Sequence, residues 1–223
     1  MQKPVLFYCY DAYCGWCYGF SPVIRQLAEE YASRAEFEVL SGGMILDEMV
    51  QPIERMAGYI LNAYPVVEST TGIKFGDDYL WHIRNPDLSD WAMDSEKPAI
   101  ALSVFKEIYP NRQVEFAADL QKALHAEGRD LCDDEAYRHL LEQYSIQPEL
   151  FYLRLHSDEY AERARYEFSL CKQLQVTGFP ALFIQESDSR FHLLARGYTD
   201  YATLKARLDQ VLTLFSSSKT NEL

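Results

Sequence analysis

The chain opens on an unbroken apolar run. "PVLFYCY" (4–10) carries Val, Phe and Tyr without alternation, the pattern of a short strand buried on both faces. The period then becomes helical: Phe20, Val23, Ile24, Leu27 and Tyr31 recur along "FSPVIRQLAEEYAS", with Pro22 accommodated in an early or kinked turn. "EFEVLSGGM" (36–44) reads as a second strand ending at Gly42-Gly43. A strand, a helix and a strand in this order predict a right-handed crossover and a parallel pair.

The strand pattern then stops for over a hundred residues. Gly, Pro and aromatic residues break 46–98 into short pieces, and clearer helices follow. "KPAIALSVFKEIY" has Pro98 near its first turn, "QVEFAADLQKALHAEG" closes on Gly128, "DDEAYRHLLEQY" opens on aspartates suited to capping, and "QPELFYLRLHS" starts with proline. "DEYAERARYEFSLCKQLQV" (158–176) lines Ala161, Ala164, Phe168, Cys171 and Leu174 on one face and predicts a long helix ending before "TGFP". "ALFIQ" and "FHLLARG" around "ESDSR" read as a β-hairpin, and "DYATLKARLDQVLTLF" as a last amphipathic helix. The polar tail "SSSKTNEL" is expected to be disordered. The order β-α-β, helical block, α-β-β-α predicts a discontinuous α/β domain (1–45 and 156–215), a mainly helical insertion (46–155) and a tail (216–223).

Composition changes this picture little. The 223 residues suffice for a core without disulfide support. The net charge of −13 disfavours phosphate backbones and anionic lipid, so neither nucleic acid nor a membrane surface is expected as a partner. The N-terminus lacks the apolar length and cleavage site of a signal peptide, and no apolar run reaches a membrane span, so the expected compartment is the cytoplasm. Five scattered cysteines, Cys9, Cys14, Cys17, Cys132 and Cys171, argue against a disulfide scaffold.

Two of them carry the chemistry. A zinc site would need a second CxxC or HxxxH half, and none is present. An inert structural pair is the other reading. The redox reading rests on position: Cys14-Gly15-Trp16-Cys17 lies between a predicted strand and a predicted helix. Unpaired N–H groups at a helix N-terminus stabilise a thiolate at Cys14, which makes it the nucleophile. Cys17, one turn later, is placed to attack back and resolve a mixed disulfide. Far along the chain, "VTGFPALFI" puts Pro180 directly before a strand, where it cannot donate to a sheet. Local sequence leaves a cis or a trans bond open there.

Together, "CGWC" after the first strand, the helical insertion and "GFP" before a hairpin resemble the thioredoxin-like superfamily, in its DsbA-type branch. The stretch from Asp11 to Pro22, "DAYCGWCYGFSP", is similar to FrnE-like members and predicted cytoplasmic protein-disulfide isomerases. The resemblance implies a thioredoxin-like fold and a thiol–disulfide oxidoreductase or isomerase. Cys14 would attack, Cys17 would resolve, and Phe179-Pro180 would form a cis-proline loop beside them. Gly15, Trp16, Phe179 and Pro180 would then meet the substrate, a protein or peptide thiol or disulfide. No bound cofactor is implied beyond the dithiol itself, with glutathione admitted as co-substrate or reductant. The oligomeric state is left open.

Two features depart from the family. Tyr8 stands where many members hold a buried carboxylate that relays a proton, which leaves the relay to water or Tyr8 itself. The Gly15-Trp16 spacer contains no cation, which leaves the redox poise open among reductase, isomerase and oxidase. Trp16 is expected to project outward, with Tyr13, Tyr18 and Phe20 in the core. Cys9 and Cys171 read as buried hydrophobes. Cys132 reads as exposed, with nearby acids opposing its thiolate. Tyr59, Tyr64, Trp81 and Trp91 are expected to close the insertion's own core, and the histidines to lie at the surface or at caps. The competing readings are a kappa-class glutathione transferase or glutathione-dependent isomerase, against which both motif cysteines argue, and a non-catalytic binding module.

Overall fold

The computed structural model describes residues 3–220. β1 (Val5–Tyr10), α1 (Gly15–Tyr31) and β2 (Glu36–Ser41) form the expected crossover, with β1 and β2 parallel. A helical stretch follows: α2 (Glu54–Thr71), α3 (Asp77–Arg84), α4 (Glu96–Ile108), α5 (Gln113–His125), α6 (Arg138–Gln143), α7 (Pro148–Leu155) and α8 (Asp158–Gln173). Two two-residue strands accompany it, β3 (Gln51–Pro52) just before α2 and β4 (Ala92–Met93) between α3 and α4, paired antiparallel. They are too short to leave a period-2 pattern, which is why the sequence shows no strand there. β5 (Ala181–Ser187), β6 (Arg190–Arg196) and α9 (Tyr201–Thr220) complete the chain. The sheet order is β2-β1-β5-β6.

Residues 216–220 of the expected tail continue α9 as helix instead of being disordered, because no Gly or Pro stops it; the rest of that tail lies outside the described residues. Pro22 sits within α1, whose helix runs on past it. Among the described residues no helix is long and apolar enough to cross a membrane.

β1 is central, and its alternation feeds two apolar layers. Leu6, Tyr8 and Tyr10 join one buried cluster with Phe20, Ile24 and Leu27 of α1. Cys9 joins Leu40, Cys171 and Ala181 in another. The first cluster is continuous from β1 through Phe105 and Phe116, which stack at 4.0 Å, to Leu208 of α9. Of the aromatic residues expected to close the insertion's core, only Trp91 is buried, Tyr64 is half-buried, and Tyr59 and Trp81 are exposed. α2 carries Tyr59 on its outer face, since only Ala57 and Val67 of this helix are fully buried.

β2 is an edge strand, and unpaired edge N–H and C=O groups are both a liability and an attachment point. Helix side chains cover them here. Val39 N–H donates to Gln113 Oε1 at 2.9 Å, and Ser41 N–H to Glu167 Oε2 at 2.9 Å. Lys106 Nζ donates to Val39 C=O and to Glu167 Oε1, each at 2.7 Å, and pairs with Glu38. Burial alone would pull the Lys106 ammonium down; Glu167 and Glu38 outweigh it and hold it above the ordinary lysine value. α4, α5 and α8 are thereby bolted to the edge of the sheet.

Lys106→Ala leaves Glu167 and Glu38 without their cation. The variant should lose about 3–5 kcal/mol of unfolding free energy in urea. A loss under about 1 kcal/mol, the worth of a surface pair, would mean that the edge is held by something else.

Candidate active site

The end of β1 and the start of α1 build the site. Cys14 is the N-cap of α1, with extended backbone (φ −79°, ψ 108°). Its Sγ accepts the Cys17 N–H at 3.3 Å, so the cap position is filled by sulfur. The Cys14 N–H donates to the Asp11 C=O at 3.1 Å, and its C=O accepts the Tyr18 N–H at 3.0 Å. No acidic residue occupies the first turn of α1. The exposed N–H groups of that turn therefore act on the Cys14 sulfur unopposed from within the helix.

The second wall comes from the start of β5. The Phe179–Pro180 peptide bond is cis. The Cys14 thiol donates to the Phe179 C=O at 3.6 Å across 165 residues of sequence. The Phe179 ring lies over Gly42, where a Cβ would come within 2.0 Å of it, so any side chain at this position would have to displace the ring. Gly15 and Trp16 are half-buried, and Phe75 packs against the spacer, 3.4 Å from where a Gly15 Cβ would stand. Trp16 therefore rests partly on the core rather than projecting freely. Tyr13, Tyr18 and Phe20 are buried, as expected.

The two motif thiols differ in burial. Cys17 is fully buried, and burial, then the neighbouring Cys14 sulfur, pushes its thiol well above the ordinary value. Cys14 keeps slight exposure at the mouth of the site (7%). All five cysteines are free thiols. Cys9 and Cys171 sit together on the opposite face of the sheet. Cys132 is half-buried, not exposed; its thiol is raised by burial first and by Asp130 and Asp94 after it. Among the described residues its hydrogen-bond link towards the motif runs through Tyr13 Oη, at 3.4 Å.

Several residues around the motif take places that the sequence left open or misassigned. Asp11 is buried, and its carboxylate accepts from Tyr13 N–H at 3.0 Å, Met44 N–H at 2.8 Å and Ser95 Oγ at 2.9 Å. Burial raises its carboxyl despite these three bonds. Gln121 of α5 donates to the Asp11 C=O at 3.2 Å. One turn later on α5, His125 overturns the expectation of surface histidines. It is fully buried against Tyr18, Phe75 and Tyr79, with ring centroids at 5.0, 5.3 and 5.0 Å. Neither ring nitrogen has a hydrogen bond of ordinary geometry among the described residues, and burial pushes the imidazole down to about 3. The i, i+4 pair Gln121/His125 on an otherwise apolar helix face was the available signal.

A Nitrosomonas europaea structure described as a candidate protein disulfide isomerase shares 28% identity, covers 96% of this chain and 99% of its own, and superposes with a TM-score of 0.82. The cytosolic disulfide reductase DsbM from Pseudomonas aeruginosa shares 26% identity over 94% of this chain and 99% of its own, with a TM-score of 0.73. Its structure with GSH superposes at 0.74 and 23% identity, over the same shares of both chains. A 2-hydroxychromene-2-carboxylate isomerase, at 12% identity and a TM-score of 0.62 over 98% of this chain and 99% of its own, shares the fold alone. No family model and no curated protein matches the chain. The fold is that of the thioredoxin-like superfamily with a helical insertion. Within it, the neighbours are consistent with the DsbA-type branch.

His125 sets an acid limit on this architecture. An unfolded histidine titrates near 6.5, whereas the folded one stays neutral down to about 3. The unfolded chain alone takes up this proton, so stability is full above about pH 6.5 and drains as pH falls below it. Between pH 7 and pH 5 the loss is about 2 kcal/mol. His125→Phe should remove that part of the pH slope in urea unfolding; identical slopes in variant and wild type would contradict the assignment.

Proposed function

We propose that this protein is a thiol–disulfide oxidoreductase acting on protein or peptide disulfides, with Cys14 attacking and Cys17 resolving. The observation that carries the reading is the position of the Cys14 sulfur. It sits on the N-terminus of α1, bonded to the Cys17 N–H, and faces the carbonyl that precedes a cis-proline. The solved neighbours support an enzyme of thiol–disulfide type.

The exchange balances in two steps. The Cys14 thiolate attacks one sulfur of the substrate disulfide; the other leaves as a thiolate and takes a proton. Cys17 then attacks the Cys14 sulfur, the Cys14–Cys17 bond forms, and the second substrate thiol departs with the proton that Cys17 loses. Two electrons have passed to the substrate. A thiol reductant returns them, and glutathione is proposed for that part, supported by the neighbour solved with GSH. Gly15 and Trp16, which follow Cys14 in the motif, and Phe179-Pro180, whose Phe179 carbonyl accepts from the Cys14 thiol, are the proposed substrate contacts. The proposed compartment is the cytoplasm, supported by the cytosolic neighbour. Isomerisation requires only that Cys17 act slowly enough for the substrate to rearrange on Cys14.

Cys17→Ala should accumulate a stable mixed disulfide on Cys14 with protein or peptide substrates, detected by intact mass. Cys14→Ser should lose disulfide exchange by on the order of 10³-fold or more. Glutathione adducts alone, with turnover of a small electrophile or isomer, would support the glutathione-transferase-like reading instead. An unreactive Cys14 would remove both.

A further inference from the structure

Tyr8 carries a phenol that the fold does not use. It is fully buried, and its Oη has no hydrogen bond of ordinary geometry among the described residues. Its ring is fixed between Tyr10 at 5.7 Å and Phe20 at 5.9 Å. Phe20 lies one turn beyond Cys17 on the same helix. The phenol shares one buried cluster with Cys14 and Cys17, and ionised Cys17, then Cys14, raise it above its already burial-raised value. A phenylalanine would fill the same space without an oxygen to desolvate, so the hydroxyl detracts from stability in the resting protein.

Cys17 has a need that this hydroxyl meets. To resolve a mixed disulfide its thiol must become a thiolate in a dry site. Once Cys14 is tied up in the mixed disulfide it carries no charge; burial and the Asp11 carboxylate still oppose the change, and the Asp11 backbone N–H assists it. The other titratable groups facing this pocket are Tyr10 on β1 and, acting on Tyr10, Glu167 of α8; neither supplies a cation.

We propose that Tyr8 is a third catalytic side chain, whose O–H donates a hydrogen bond to the Cys17 sulfur as that sulfur loses its proton and attacks Cys14. The assignment rests on the oxidoreductase reading. The resting dithiol has no Tyr8–Cys17 hydrogen bond of ordinary geometry; the bond tightens as charge develops on the sulfur, so it lowers the barrier more than it stabilises the ground state. Tyr8 keeps its own proton. The proton of Cys17 leaves with the departing substrate thiol, and the two electrons move from the dithiol to the substrate as before.

An aromatic disulfide such as 5,5′-dithiobis(2-nitrobenzoate) separates the steps. Attack by Cys14 releases a first coloured thiolate, and resolution by Cys17 releases a second. In Tyr8→Phe the first release should keep its wild-type rate. The second should slow roughly 10- to 100-fold, its pH midpoint should rise by about one unit or more, and folded stability should be equal or higher. A 3-fluorotyrosine placed at position 8 keeps the shape and makes the phenol more acidic; its second release should be faster, with a lower midpoint. A second release unchanged in rate and midpoint in folded Tyr8→Phe, or insensitive to fluorination, overturns the assignment. Loss of the first release in the wild type would instead remove the oxidoreductase reading, and Tyr8's part with it.

Discussion

Asp11 brings a carboxylate into the interior at the point where three segments meet. A buried carboxylate without donors would cost several kcal/mol or more, and here Tyr13, Met44 and Ser95 each supply one. Those donors come from the loop leading into Cys14, the loop leaving β2, and the entry to α4. On the backbone side, the Asp11 C=O takes the Cys14 N–H and the Gln121 amide. The residue that sets the approach to the first motif cysteine is thus tied to the sheet and to the helical block at once. Ser95 extends the tie, since its Oγ also accepts the Ile45 N–H at 3.1 Å.

The division of labour between the two thiols follows from that anchoring. With Cys14 fixed at the helix N-terminus, its sulfur meets the Cys17 N–H on one side and the Phe179 carbonyl on the other. Cys17 lies one turn deeper, without access to solvent, in the same buried cluster as Tyr8. One sulfur is placed to meet substrate; the other is placed to meet only the first. Behind them, His125 contributes a neutral ring to an aromatic packing surface shared with Tyr18 and Phe75.

Much of this was legible in the chain because it is written in local patterns. The apolar run of β1, the helical spacing of α1 and α8, and the hairpin of β5 and β6 each depend on residues close in sequence. The motif cysteines were legible for the same reason, as a CxxC between strand and helix. What stayed hidden depends on distant contacts. Asp11 meets Ser95 across 84 residues, and Gln113 reaches the edge of β2 across 74. His125 looked like any isolated histidine, because its burial is set by Phe75 and Tyr79 from another part of the chain. The pair of β3 and β4 is too short to show a period.

Exposure and chemistry make opposite forecasts for the five thiols, and that opposition gives the most direct test. By exposure alone, half-buried Cys132 should react before Cys14, which is 7% exposed. By chemistry, the helix N-terminus makes Cys14 the nucleophile and puts it first. Treat the reduced protein at neutral pH with less than one equivalent of iodoacetamide, and map the label by peptide mass spectrometry. The label should fall on Cys14, with Cys17, Cys9 and Cys171 protected. Label on Cys132 ahead of an unmodified Cys14 would contradict a helix-activated nucleophile.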